Sequence, residues 1–152
     1  MSAAMALDHS ALEEGSDAVL DFAKLAKVGA GAEPVLPVVL QDAESGEVLF
    51  VGYANQLALE ETLGSGIAVL WSTSRQELWR KGATSGDELA LVEVRVNCEQ
   101  NSLLYRVRPR TGGACHTHDG SGGARRTCYY RRLVGGPGGT RLEFVEGFRP
   151  AR

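Results

Sequence analysis

Long apolar runs are missing from this 152-residue chain. Nothing approaches the roughly 20 consecutive apolar residues of a membrane span, so a soluble protein with no membrane partner is expected. Disulfide scaffolding is excluded as well. Only three cysteines are present, an odd number that cannot all pair within one chain, and a domain of this length buries roughly 68–70% of its unfolded surface without staples. The first fifteen residues lack a basic segment followed by an apolar core, so no secretory signal is expected, and a reducing cytoplasm fits both observations. No internal repeat is visible. A basic motif with interleaved aromatics is also missing, and with a net charge of −3 this excludes nucleic acid as the expected partner.

Cations are scarce in the first half. Residues 1–62 hold only Lys24 and Lys27 against eleven acids, whereas residues 104–132 reverse the balance, with Arg106, Arg108, Arg110, Arg125, Arg126, Arg131 and Arg132 facing only Asp119. Arginine forks match phosphate oxygens, and on a strand they equally make a solvated face.

The scarce cysteines are clustered. Cys98, Cys115 and Cys128 lie within one stretch, with His116 and His118 beside the second. Three thiolates fill three corners of a tetrahedral zinc and leave the fourth for water, whose pKa such an ion lowers from 15.7 to about 7. A histidine in the fourth corner makes the site structural instead, and the bland alternative is three small buried hydrophobes.

Local patterns predict the elements. Residues 1–17 read as a loose N-terminal tail before a single domain over 18–152, and residues 20–26 as a short helix stopped by the glycines near 29–31. Val38-Val39-Leu40 and Val48-Leu49-Phe50-Val51 flank a turn and predict a hairpin. Asn55 is placed to cap a helix through Leu63, with Leu59 and Leu63 on its apolar face and Gly64 as its stop. Residues 67–71, 89–96, 103–108 and 127–133 read as strands, residues 135–139 as a turn, and 141–145 as an edge strand. Residues 72–86, rich in hydroxyls, cations and glycine, suit a loop presenting donors to an anion or an ordinary polar connection. The sum is an α+β fold with a mainly antiparallel sheet and one or two short helices.

Four ordered motifs then resemble the phosphoribosyl-AMP cyclohydrolase family of histidine biosynthesis over about residues 36–133. They are Leu36-Pro37-Val38-Val39-Leu40-Gln41-Asp42 with Gly46-Glu47-Val48-Leu49; Tyr53-Ala54-Asn55; Ser72-Thr73-Ser74-Arg75 with the run from Leu78 to Gly86; and Cys115-His116-Thr117 with Thr127-Cys128-Tyr129-Tyr130. The resemblance implies hydrolytic opening of the adenine ring of phosphoribosyl-AMP between N1 and C6. It implies zinc on Cys115 and Cys128 of one subunit and Cys98 of the other, in a homodimer. His116 is then the proton carrier, and Arg75, Trp79, Lys81, Thr84 and Ser85 hold the nucleotide.

Where the family has three aspartates for magnesium, this chain reads Asn97-Cys98-Glu99-Gln100-Asn101. Asn97, Glu99 and Asn101 therefore form a degenerate magnesium site. Residues 119–126 also lengthen a segment that is tighter in the family. Both departures keep two alternatives open: a divergent zinc hydrolase acting on another purine-like nucleotide or heterocycle, and a non-catalytic, zinc-stapled nucleotide-binding dimer. The chain ends soon after Cys128, so a separate protein is expected to supply the pyrophosphohydrolase often fused to this family.

Overall fold

The computed structural model describes residues 8–151. Three helices, α1 (His9–Glu14), α2 (Lys24–Gly29) and α3 (Gln56–Ser65), accompany eight strands: β1 (Leu36–Asp42), β2 (Val48–Ala54), β3 (Val69–Ser72), β4 (Glu77–Arg80), β5 (Leu89–Val96), β6 (Leu103–Pro109), β7 (Arg131–Gly136) and β8 (Gly139–Phe144). The architecture is α+β, as the patterns predict. A four-stranded sheet runs β2-β1-β6-β5, and β3-β4 and β7-β8 form two hairpins. All pairings are antiparallel except β1 with β6. That parallel pair is closed by a crossover through α3, β3, β4 and β5.

The predicted β1–β2 hairpin turns at residues 43–47, where Asp42 Oδ1 accepts from the Glu44 amide at 2.8 Å. Alternation then decides the faces. Val38, Leu40, Leu49, Tyr105 and Val107 are fully buried, and the core they form also takes in Leu70 of β3, Leu89 of β5 and Ala58 of α3.

Asn55 caps α3 as expected, its Oδ1 accepting from the Ala58 amide at 2.8 Å, and Leu59 packs against the core as expected, but Leu63 does not. Leu63 is 60% exposed, while Ala58 and Thr62 are buried. Two small side chains allow close approach to β3, and the Thr62 hydroxyl lies 2.8 Å from the Ala58 carbonyl, 3.0 Å from the Val69 carbonyl and 2.9 Å from the Val69 amide. The stop is Gly66 in the left-handed region, two residues beyond Gly64, its amide donating to the Thr62 carbonyl.

Other boundaries differ for identifiable reasons. Residues 72–86 are not one loop, because β4 within them pairs with β3, Leu70 opposite Trp79. Residues 127–130 are not strand; they are tied to β2 by the Cys128 amide donating to the Leu49 carbonyl at 2.8 Å, and β7 begins at Arg131. Residues 135–139 are mostly paired, leaving a tight turn at Pro137-Gly138. The helix expected over 20–26 starts at Lys24, since Asp21 Oδ1 accepts the Ala23 amide and ends the preceding turn. Of the expected tail, residues 1–7 lie outside the described residues. Residues 8–17 contain α1, and Leu12 and Gly15 offer carbonyls to the Arg131 guanidinium at 2.8 and 3.0 Å. No described helix is long and apolar enough to cross a membrane.

Candidate active site

A cavity of about 480 Å³ opens between the β3–β4 hairpin and the segment after β6. Arg75, Trp79, Lys81, Thr84 and Ser85 all line it, opposite His116, His118 and Cys128. The residues picked out for nucleotide binding and for chemistry thus share one space, although thirty or more positions separate them in sequence.

Local structure explains the placement. Trp79 sits on β4 with its ring 5.9 Å from that of Phe50, leaving an aromatic wall. Lys81 follows directly and is only 6% exposed. The turn beyond it needs Gly82, which has φ +80° and would bring any Cβ to 2.3 Å from the Asp87 carbonyl carbon and the Glu88 amide nitrogen. That turn carries Thr84 and Ser85, and Ser85 Oγ accepts from the Asp87 amide at 3.3 Å. Arg75 is steered by Ser72, whose Oγ accepts from its Nε at 3.3 Å.

The opposite wall is the loop from Gly113 to Cys128. Gly113 passes so close to residue 124 that a Cβ there would meet the Ala124 Cβ at 2.5 Å, which lets the Ala114 and Cys115 amides both donate to the Arg125 carbonyl at 3.1 and 2.9 Å. Cys115 is buried and Cys128 exposed, and each thiol perturbs the other's ionisation. The neighbouring Cys128 thiol, aided by Thr117 and His116, holds the Cys115 thiol below its ordinary value against the opposing effect of burial. Cys115 in turn pushes the Cys128 thiol up.

Thr117 Oγ lies 3.0 Å from Cys115 Sγ and itself accepts from Arg125 Nη1 at 3.0 Å, so its hydroxyl proton is free to point at the sulfur. Arg125, its side chain 1% exposed, also donates to both Glu14 carboxylate oxygens at 2.7 Å and to the Arg149 carbonyl at 2.6 Å. Its guanidinium lies 4.1 Å from the Tyr130 ring centre. The segment 119–126 thus carries the side chain that holds the Cys115 loop in shape.

Two soft thiols carried by one loop suit a thiophilic cation such as zinc. Cys98 is exposed in the turn between β5 and β6 and does not join them, and the described residues contain no group of three or more cysteines, histidines or carboxylates able to enclose a metal ion.

Asn97, Glu99 and Asn101 fit magnesium poorly. Asn97 Oδ1 accepts the Asn101 and Ser102 amides, each at 2.9 Å, Asn97 Nδ2 donates to Asn101 Oδ1 at 2.6 Å, and Asn101 Nδ2 donates to Glu99 at 3.2 Å. The two asparagine oxygens are thus engaged within the hairpin turn, which leaves Glu99 as the one carboxylate for a hard cation.

The sequence reading overlooked Asp87 and Glu13. Asp87 lines the cavity, held well below the usual carboxylate range chiefly by the hydrogen bond from Thr111. Its position after Gly86 at the end of the hydroxyl-rich stretch was the available signal. Glu13, whose Oε2 lies 2.6 Å from His116 Nε2, had none, because 103 positions separate the two residues.

Known proteins share this stretch of sequence. The family profile described as phosphoribosyl-AMP cyclohydrolase matches residues 50–130, which contain every residue named above for zinc, magnesium, nucleotide and proton transfer. A phosphoribosyl-AMP cyclohydrolase from Hyphomonas neptunium is 46% identical over 102 residues, covering 67% of this chain and 72% of that protein. One from Methanothrix thermoacetophila is 43% identical over 108 residues, covering 71% and 84%. A histidine biosynthesis bifunctional protein from Thermus thermophilus is 49% identical over 102 residues, covering 67% of this chain and 44% of that protein. On its site-bearing motifs and on these identities alike, the chain belongs to the phosphoribosyl-AMP cyclohydrolase family.

Proposed function

We propose that this protein hydrolyses phosphoribosyl-AMP in histidine biosynthesis, opening the adenine ring between N1 and C6 at a zinc site completed by a second copy of the chain. The observation that carries the reading is the shared cavity, with His116 and the Cys128 thiol on one wall and Arg75, Trp79, Lys81, Thr84 and Ser85 on the other. Cys115 and Cys128 would hold zinc with Cys98 of the partner subunit, and bound there the ion lowers the pKa of a water to about 7.

The remaining work falls to the chain's side chains. Trp79 offers a face for a base, and Lys81, buried at the cavity floor, offers a full positive charge to a phosphate where water screens little. Arg75 adds a planar fork, and Thr84 and Ser85 add hydroxyls for ribose or phosphate oxygens. In the overall reaction the oxygen of one water bonds to C6, the C6–N1 bond breaks, and N1 leaves with a proton. His116 takes the proton from the water side and returns it at N1. No step depends on magnesium.

Pairing of two copies is supported by the sheet. Val51, Val39 and Leu104 stand side by side across β2, β1 and β6, and Val51 is 47% exposed. Val96, next to the Asn97-Cys98 turn, is 54% exposed. An apolar face of this kind adjoining Cys98 suits an isologous contact that carries the cysteine to the partner.

The deciding experiment incubates purified, zinc-loaded protein with phosphoribosyl-AMP, with and without magnesium, and follows the ring-opened product. His116→Ala should keep zinc and dimer mass and lose about 10²–10⁴-fold in turnover; loss of zinc would make His116 a ligand. Mixing Cys98→Ser with Cys128→Ser chains should restore about one quarter of wild-type activity, since statistical exchange makes half the dimers mixed and each then holds one intact site of two. No recovery despite exchange would refute the shared site. The amide-for-carboxylate turn at Asn97 and Asn101 favours one second reading, a zinc hydrolase for a different purine-like nucleotide. Turnover of such a nucleotide with phosphoribosyl-AMP left intact would establish it.

A further inference from the structure

The segment matched by the family profile begins at residue 50, yet the imidazole proposed to move the proton is gripped from well outside it. Glu13, the penultimate residue of α1, places Oε2 at 2.6 Å from His116 Nε2. The His116 side chain is 79% exposed, but the α1 side of the contact is fixed on several sides. Its neighbour Glu14 makes the two-pronged pair with Arg125, and the Tyr130 hydroxyl donates to the Glu13 carbonyl at 2.8 Å. Arg131 donates to the carbonyls that flank the acidic pair, Leu12 and Gly15. Arg125 in turn holds Thr117, the residue after His116.

The two acids therefore straddle one loop. Glu14 fixes it through Arg125, and Glu13 reaches the ring. His116 lines both the large cavity and a smaller one of about 330 Å³, and Glu13 borders only the smaller. With Nε2 turned to Glu13, the nitrogen left for a substrate in the large cavity is Nδ1.

We propose that Glu13 is a positioning residue for His116: by accepting the Nε2 proton it fixes the ring's tautomer and orientation and presents Nδ1 as the atom that exchanges a proton in the cavity. This rests on the reading of His116 as the proton carrier. A carboxylate behind an imidazole is a recurrent means of fixing which nitrogen carries the proton. Here it comes from a helix that the family profile does not include.

The test uses the full-length, zinc-loaded protein and three variants, Glu13→Ala, Glu13→Gln and His116→Ala, the last also serving to assign the His116 signals. Glu13→Ala should lower kcat by about 10-fold or more, part of the 10²–10⁴ that a positioned acid–base group supplies, with KM nearly unchanged. Glu13→Gln, whose amide oxygen can still accept from Nε2, should recover most of that loss. Long-range proton–nitrogen spectra, recorded about two units above the ordinary imidazole pKa of ~6.5, should show His116 as the Nε2–H tautomer in the wild type and as a mixture in Glu13→Ala. A merely structural role would instead lower Tm and kcat together and leave the tautomer unchanged. A Glu13→Ala protein with wild-type kcat, or an unchanged tautomer, overturns the inference while the proposed reaction stands. A zinc-loaded wild type that turns over no phosphoribosyl-AMP overturns both.

Discussion

Replacing Glu14 by glutamine removes one charge from the least exposed ion pair among the described residues. The Arg125 side chain is 1% exposed and that of Glu14 17%, and two hydrogen bonds of 2.7 Å join them. Glutamine keeps the shape and one acceptor, so the cost comes from leaving a buried guanidinium without its counter-charge. Removing one partner of a buried pair typically costs about 3–5 kcal/mol. The carboxylate is partly wetted and Arg125 retains the Arg149 and Thr117 oxygens, so about 2–3 kcal/mol is expected, or roughly 4–12 °C in Tm for a chain of this size.

Urea unfolding followed by tryptophan fluorescence, with metal chelated in both proteins, measures the difference at pH 7. The pH dependence supplies a second arm. Arg125 holds the Glu14 carboxyl below its ordinary value, chiefly through their hydrogen bonds. A depressed carboxylate stabilises the fold above its unfolded pKa, and that contribution disappears as pH falls through the lower, folded value. The wild type should thus lose its advantage over Glu14→Gln as the pH drops below about 4.5, and the two curves should converge. A difference under about 1 kcal/mol at pH 7, or curves that stay parallel into acid, would refute the reasoning.

Two further substitutions test the frame around the site. Thr62→Val leaves the buried Val69 amide without the hydroxyl it meets at 2.9 Å and should cost about 1–3 kcal/mol in urea unfolding, with the metal content unchanged. Gly82→Ala forces a Cβ to 2.3 Å from the Asp87–Glu88 peptide at φ +80°; stability should fall by about 2 kcal/mol or more, and nucleotide affinity, followed by the fluorescence of Trp79, should weaken as the Thr84–Ser85 turn shifts.

What the sequence determined by itself was local in physical origin. Short β-rich runs around a turn marked β1 and β2, and alternation of apolar residues marked β5, because a strand's faces follow from a period of two. Asn55 marked the start of α3, because its side chain meets an amide only three positions on. The chemistry of the site was equally legible: thiols, an imidazole, cations and hydroxyls declare themselves by residue type, and the motifs around them carried the family resemblance.

Only the tertiary structure decided the rest. The pairing of β4 with β3 overrode a composition that reads as loop, and the buried face of α3 fell to Ala58 and Thr62 because close approach to β3 outweighs the bulk of Leu63. Whether Asn97 and Asn101 serve a cation or a turn depended on where two backbone amides point. Glu13 and Glu14 looked like any acidic pair near a terminus. Their partners, His116 and Arg125, lie more than a hundred positions away, and no local pattern reports a contact that exists only once the whole chain has folded.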